Sequence, residues 1–366
     1  MVIRKGREAS PSIEALGVFA EFDVSSRNTT LGDFQRRQQV VEMFSKGLDE
    51  SLARDSRLHG VRVQNMFYAL VVVLGQFKLF KVEDSGNFYF DDSAGEVALP
   101  DFRLVDADGE QFVIEVKNVP PSSALETTVR KKMLLRQRRY AQLTYARLLY
   151  AHYWSGFNLW TLIDSSILDG SKDDSESNLR LSLPDAMKAN EMSRLGDAMI
   201  ATRSPLTMQI RADRSRGRKH GRDTIDDLEK LEVSFSISDV RYFSEGNLIE
   251  DEVERNLAHF LVFFGRWETR DSIEFDDDMP VSMSFVSRPE PEEDTQSSQG
   301  FTNIGTLSSM YSTAFNVKTL DRDSQITGLA EQPKPEFLSG LLPGEYWERD
   351  SRVLPIWKFV QRAPEP

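Results

Sequence analysis

The stretch PDFRLVDADGEQFVIEVK, residues 100–117, reads as two β-strands joined by a tight turn. Asp101 to Val105 and Gln111 to Lys117 alternate in character, the period-two pattern of half-buried strands. One face carries Phe102, Leu104, Phe112, Ile114 and Val116; the other carries Asp101, Arg103, Val105, Val113, Glu115 and Lys117. A two-residue turn at Asp108-Gly109 would pair Phe102 with Glu115 and Asp101 with Val116, a mixture of faces that one buried side does not tolerate. A three-residue loop, Ala107-Asp108-Gly109, puts Gly109 in the left-handed conformation such loops require at their last position. Asp106 then pairs with Glu110, Leu104 with Phe112, Phe102 with Ile114 and Asp101 with Glu115. The last pair sets two carboxylates about 5 Å apart at their β-carbons. They repel unless a cation or a proton sits between them. Lys117 projects from the same face, so the hairpin offers a metal site with a built-in ammonium.

Outward from this hairpin, an apolar run through Met66 to Leu74 predicts a buried helix from about Val61 to Gly75. It is shorter than the roughly 20 residues a membrane span needs. Strands are expected at Phe77 to Val82 and around Asn87 to Phe90. After the hairpin, Ser123 and Glu126 have capping-box spacing, and a helix is expected from there to about Tyr153. It carries Arg130, Lys131, Lys132, Arg136, Arg138, Arg139 and Arg147 against Glu126 alone. In a chain of net charge −13 this is a local basic exception, suited to a polyanion. Gly156 to Asp164 reads as a strand that ends the core.

Pro100-Asp101, Glu115-x-Lys117 and the helix after them resemble the PD-(D/E)XK nuclease superfamily, over roughly residues 60–165. The resemblance implies a restriction-endonuclease-like α/β fold, a mixed sheet flanked by helices. It implies that Asp101 and Glu115 bind Mg2+ or Mn2+ and that Lys117 positions or polarises the attacking water. Gln142-Leu143-Thr144-Tyr145 resembles the glutamine-tyrosine signature of the RecB-like branch, with two residues between where that branch has three. Gln142 is the choice for a supporting residue; Gln137, on the apolar stripe four residues after Met133, competes with it. Many members carry a further acid on the preceding helix. That helix offers only Gln64 and Asn65, and Glu42 on an earlier helix is the nearest candidate.

Composition bounds the remainder. A chain of 366 residues has room for two domains. With no cysteine, disulfide scaffolds and thiolate metal or redox sites are excluded, and a reducing cytoplasm is compatible. The basic Met1 to Ser10 segment has no apolar run behind it and is not read as a signal peptide. The four histidines, His59, His152, His220 and His259, are isolated in sequence, which argues against a histidine-metal motif. Neither a P-loop nor a dinucleotide glycine pattern nor an internal repeat occurs.

The expected organisation is an irregular segment 1–33, a nuclease-like domain 34–168, a linker 169–179 and an α+β accessory domain 180–287. A disordered Pro/Glu/Ser/Gln-rich linker 288–300 and a C-terminal tail 301–366 follow. The helix from Phe34 to Ala53 is expected to pack Val40, Val41, Phe44 and Leu48. In the accessory domain a helix is expected at Asp185 to Ala201, with strands at Thr207 to Ala212, Leu231 to Ser238 and Val281 to Val286. An arginine-rich loop carrying Arg214, Arg216, Arg218 and Lys219 is suited to a sugar-phosphate backbone. The aromatic and proline-rich tail docks on the chain itself or binds a partner, protein or second copy.

The functional expectation is a metal-dependent nuclease acting on DNA, with RNA as second choice. Arg130, Lys131, Lys132, Arg136 and the arginine loop would hold phosphates. The alternative is a catalytically silent nuclease-like scaffold that binds nucleic acid or a protein, for instance within a mobile-element or defence complex.

Overall fold

The structure, a computed structural model, describes residues 3–6, 11–22, 34–83, 88–123, 125–170, 177–225, 228–276, 279–289, 299–349 and 351–362. The chain is mixed α/β. Helices α1 (Pro11–Phe22), α2 (Phe34–Leu52) and α3 (Asp55–Leu74) lead into β1 (Phe77–Val82), β2 (Phe102–Asp106) and β3 (Gln111–Val119). Then come β4 (Glu126–Arg130), α4 (Lys131–Leu143), β5 (Arg147–Trp154) and β6 (Leu159–Asp164). The first sheet has the order β1-β2-β3-β5-β6, with β3 and β5 parallel and the other pairs antiparallel.

The hairpin register is the one the alternation requires. Phe102 pairs with Ile114 and Leu104 with Phe112, and the Asp106 N–H donates to the Glu110 carbonyl at 3.1 Å. Gly109 has φ +97°, and the Asp106 carboxylate closes the turn by accepting from the amides of Asp108, Gly109 and Glu110. One face of the sheet buries Phe102, Leu104, Phe112, Ile114 and Val116 against Met66, Phe67, Leu70 and Leu74 of α3. Each such side chain contributes roughly 1.5–3 kcal/mol on burial. Gly75, at φ +70°, terminates α3. The other face buries Val113, Leu148, Tyr150 and Ile163 against Leu134 and Ala141 of α4.

The long helix expected from Ser123 to Tyr153 is instead a strand, a 13-residue helix and another strand. Tyr145, at φ +51°, ends the helical path just beyond α4. The run Leu148 to Trp154 is buried throughout, and a strand buried on both faces shows no alternation to separate it from a helix. Arg147 therefore leaves the basic helix. It opens β5 and pairs with Asp164, Glu191 and Glu110 at 2.8–3.1 Å. Residues 88–90 are irregular, not a strand, and Asn87 lies outside the described residues. Of the stripe expected to pack α2, Val40 is buried, while Val41, Phe44 and Leu48 are exposed.

Beyond β6, the chain forms β7 (Asn178–Ser182), α5 (Leu183–Lys188), β8 (Met199–Arg203), β9 (Leu206–Ile225), β10 (Leu228–Ser244) and β11 (Asn247–Leu248). Next are α6 (Glu252–Phe264), β12 (Glu268–Asp276), β13 (Met279–Arg288), β14 (Phe301–Thr306) and α7 (Leu307–Thr319). Two short helices, α8 (Phe337–Leu341) and α9 (Gly344–Trp347), and β15 (Ile356–Phe359) end the described chain. A second, antiparallel sheet runs β11-β10-β9-β13-β12, and a third runs β14-β8-β15. The helix expected at 185–201 shrinks to α5, because β8 takes up Met199 to Arg203. The expected arginine loop is part of β9, paired with β10 to its end. The linker residues 171–176 and 290–298 lie outside the described residues.

The tail docks on its own chain. β15 pairs with β8, and the buried Glu254 carboxylate accepts from the amides of Val353 and Leu354 at 3.1 Å each. A single hydrophobic cluster joins α3, the first sheet, Leu206, Met208, α6, α7, Tyr346 and Ile356. That cluster contains residues from stretches on both sides of the expected linker. Buried Arg62 of α3 reinforces it by donating to Thr319 of α7 at 3.0 Å.

Candidate active site

Asp101 ends the loop behind Pro100 and stands immediately before β2. Glu115 and Lys117 lie on β3, on the face covered by α4. Both acids are buried, at 8% exposure each, whereas the Lys117 side chain is 41% exposed. The site therefore opens to solvent on the lysine side.

Each carboxylate oxygen has a donor. Asp101 Oδ2 accepts from the Val116 N–H at 2.7 Å, and Oδ1 accepts from Gln64 Nε2 on α3 at 2.6 Å. Glu115 Oε2 accepts from Gln137 Nε2 on α4 at 2.7 Å, while the Lys117 ammonium donates to Oε1. The Tyr150 hydroxyl in turn donates to Gln137 Oε1. Burial, then the nearby Glu115 charge, raises the Tyr150 pKa, which keeps the phenol a donor. Buried polar groups need such partners, and here the partners also fix where the carboxylates stand.

Gln142, chosen from sequence, is exposed at the end of α4. Gln137 takes the position beside Glu115 because it shares the buried stripe of Leu134 and Ala141, at spacings of three and four. Glu42 is also exposed and accepts from Gln38 one turn earlier on α2.

Two residues were not singled out from sequence. Val82 pairs with Phe102, and the Glu83 N–H donates to the Asp101 carbonyl at 2.8 Å. Glu83, Asp101 and Glu115 are therefore in line across three strands, and extending the β1 register by one residue would have located Glu83. Burial alone would raise its pKa. Hydrogen bonds from Arg103, Tyr140 and Lys81 outweigh that and hold the carboxyl at about 2. Its charge is thus matched by Arg103 at 2.7 Å and Lys81 at 3.0 Å. The second is His152, opposite Lys117 in the parallel ladder and wholly buried, with neither ring nitrogen hydrogen-bonded. Burial and the Lys117 charge push its pKa down to about 3, so the ring is neutral.

The expected phosphate-binding residues divide. Lys131, Lys132 and Arg136 lie on α4, and exposed Arg130 precedes it. Arg136 pairs with Glu96, whose carboxylate is 3.6 Å from Lys132. Arg214, Arg216, Arg218 and Lys219 fall on β9, in the second sheet, not in the sheet that carries Glu115. Arg216 and Arg218 are exposed; the side chains of Arg214 and Lys219 lie outside the described residues.

Asp101 and Glu115 would offer oxygen ligands only. With Lys117 their formal charge is −1, and hard divalent cations suit such ligands. Among the described residues no group of three or more His, Asp or Glu side chains could hold one ion, so water or substrate would complete the shell. Among the same residues, no helix is long and apolar enough to cross a membrane.

No family model and no curated protein matches the chain. Among solved structures, it is similar to Hjc, a Holliday junction resolvase of Archaeoglobus fulgidus, at 13% identity and a TM-score of 0.29. The likeness covers 38% of this chain and 96% of that one. At that TM-score it bears on neither the fold nor the activity of this chain.

Proposed function

We propose that the chain is a metal-dependent nuclease of PD-(D/E)XK type, with a restriction-endonuclease-like core. It would hydrolyse phosphodiester bonds of DNA, with RNA as the alternative substrate. The observation that supports this reading is that Asp101 stands level with Glu115 at the end of the β2–β3 ladder, both acids buried and hydrogen-bonded, with Lys117 paired to Glu115. Asp101 and Glu115 would hold magnesium or manganese, which when bound lowers the pKa of water and offsets charge on the scissile phosphate.

The chain's own residues supply the positioning. Gln64 and the Val116 amide fix the Asp101 carboxylate; Gln137, aligned by Tyr150, fixes Glu115. Lys117 donates to Glu115 through one of its three N–H bonds, so the ammonium can also orient a water or a phosphate oxygen. The cations of α4 and Arg216 and Arg218 of β9 would hold the phosphate backbone.

The test incubates the protein with Mg2+ or Mn2+ and linear, circular and single-stranded DNA and RNA, beside Lys117→Ala and Asp101→Asn. Cleavage lost in both variants, with circular dichroism unchanged, supports the assignment; equal cleavage in wild type and variants removes it. Calorimetric metal binding should vanish in Glu115→Gln. A silent scaffold that binds nucleic acid or a protein is the second reading. Gln64 favours it, since an amide, not a third acid, approaches Asp101 from α3. Salt-sensitive binding with no cleavage on any substrate would establish it.

A further inference from the structure

The loop that delivers Asp101 carries three consecutive aromatic residues, Phe88, Tyr89 and Phe90, all exposed. Tyr89 is 97% exposed. The Phe88 and Phe90 rings lie 5.8 Å apart and 25° from parallel, as expected for alternate residues of an extended segment that project to one side. Phe88 and Phe90 are 46% and 42% exposed, so the three rings in succession leave aromatic surface open to solvent, with Tyr89 at its centre.

The surroundings indicate which kind of ligand this surface suits. The loop is pinned to α4: the Ala98 N–H donates to the Arg136 carbonyl at 3.4 Å, and Glu96 pairs with Arg136 and stands near Lys132. The helix carries Lys131, Lys132, Arg136, Arg138 and Arg139 with no acid, and exposed Arg130 precedes it, while the described part of the loop carries Glu83, Asp91, Asp92, Glu96 and Asp101. The cationic side of this surface is therefore the helix, with Arg130 and Lys132 exposed. Downstream the same loop ends at Pro100-Asp101. Aromatic faces beside a cationic track form the surface on which unpaired bases stack while their phosphates are neutralised. In a duplex the base faces are occupied by neighbouring bases, so such a surface discriminates against paired strands.

We infer that Phe88, Tyr89 and Phe90 form a stacking platform for unpaired nucleobases, and that the substrate reaches Asp101 as a single strand or an unpaired segment. The inference rests on the nuclease reading only for the last step; binding stands without it.

The experiment measures affinity by fluorescence anisotropy in the Lys117→Ala background, without divalent metal, so cleavage plays no part. The probes are a 20-nucleotide single strand, its blunt duplex, and a single strand of the same length with abasic sites throughout. The single strand should bind more tightly than the other two. Tyr89→Ala should weaken it about 5- to 150-fold, the range for losing one stacked base, with the slope of affinity against salt unchanged. Tyr89→Phe should restore the affinity, because the ring face is kept. Lys132→Gln should instead lower that slope by about 0.7, one phosphate contact.

Three results would each overturn the platform: unchanged affinity in Tyr89→Ala, an equal loss on the abasic strand, or a duplex bound as tightly as the single strand. Failure of the nuclease reading registers separately, as absence of cleavage in wild type with the base-dependent binding intact.

Discussion

Replacing His152 with leucine isolates the energetic consequence of burying an unpaired imidazole beside a lysine. The folded ring has a pKa of about 3, against an ordinary value near 6.5. The sign follows from linkage: a group whose folded pKa is depressed makes the unfolded state take up the proton first, so stability falls as pH drops from 6.5 toward 3. At pH 7.5 the cost is negligible. At pH 5.0 the unfolded histidine is almost fully protonated, 1.5 pH units below its pKa, and the folded one is not. With about 1.36 kcal/mol per unit, the wild type should lose about 2 kcal/mol over that interval through His152 alone. Leucine carries no proton and is of similar size, so His152→Leu should lack this component.

At neutral pH the variant exchanges two unpaired buried nitrogens, worth roughly 1–3 kcal/mol, for the lost ring contacts with Tyr150 and Trp154 at 6.0 and 6.2 Å. Its stability there should stay close to wild type. Urea unfolding at pH 7.5 and 5.0, read by tryptophan fluorescence, measures both. If the pH-dependent loss in the variant equals that of wild type within about 0.5 kcal/mol, the histidine is not neutral in the fold and the reasoning fails.

Gln137→Leu leaves Glu115 Oε2 and the Tyr150 hydroxyl without their partner and should cost about 2–4 kcal/mol in chemical denaturation, with cleavage and metal binding reduced. Gln142→Ala should change neither stability nor cleavage, because its side chain is exposed. Glu83→Gln tests the other titration. The Glu83 carboxyl is held at about 2, below its ordinary 4.5, so it stabilises the fold above pH 4.5 and that contribution disappears as pH falls through 2. The variant should start less stable at pH 7 and show a shallower acid limb in urea titrations between pH 5 and 2. Gly109→Ala, at φ +97°, should cost about 1–2 kcal/mol, measured by thermal unfolding.

The hairpin was legible because its pairings are local and one buried face rules out every register but one. The level placement of Asp101 and Glu115 follows from that register, and the β1–β2 register extends it to Glu83. The helix after the hairpin was not legible at its ends. Leu148 to Trp154 is buried on both faces, and the left-handed turn at Tyr145 occurs at a residue type that does not announce it. The misplaced boundary did not by itself mislead on the glutamine. Gln137 already lay on the apolar stripe, and a partial motif favoured Gln142. The basic stretch of β9 looked like a loop from its glycines and charges. Its strand character comes from pairing with β10, a tertiary effect that outweighs local preference.

The seating of the tail has a bearing on synthesis. β8 lies between β14 and β15, and the carboxylate of Glu254 takes its amide donors from Val353 and Leu354. On the ribosome β8 emerges long before β15, and until residues 353–359 follow, one edge of its sheet is unpaired and Glu254 lacks those donors. Unpaired edges invite non-native pairing. A chain lacking residues 353–359 would therefore expose that edge to non-native pairing, and the seating of the last described strand covers it.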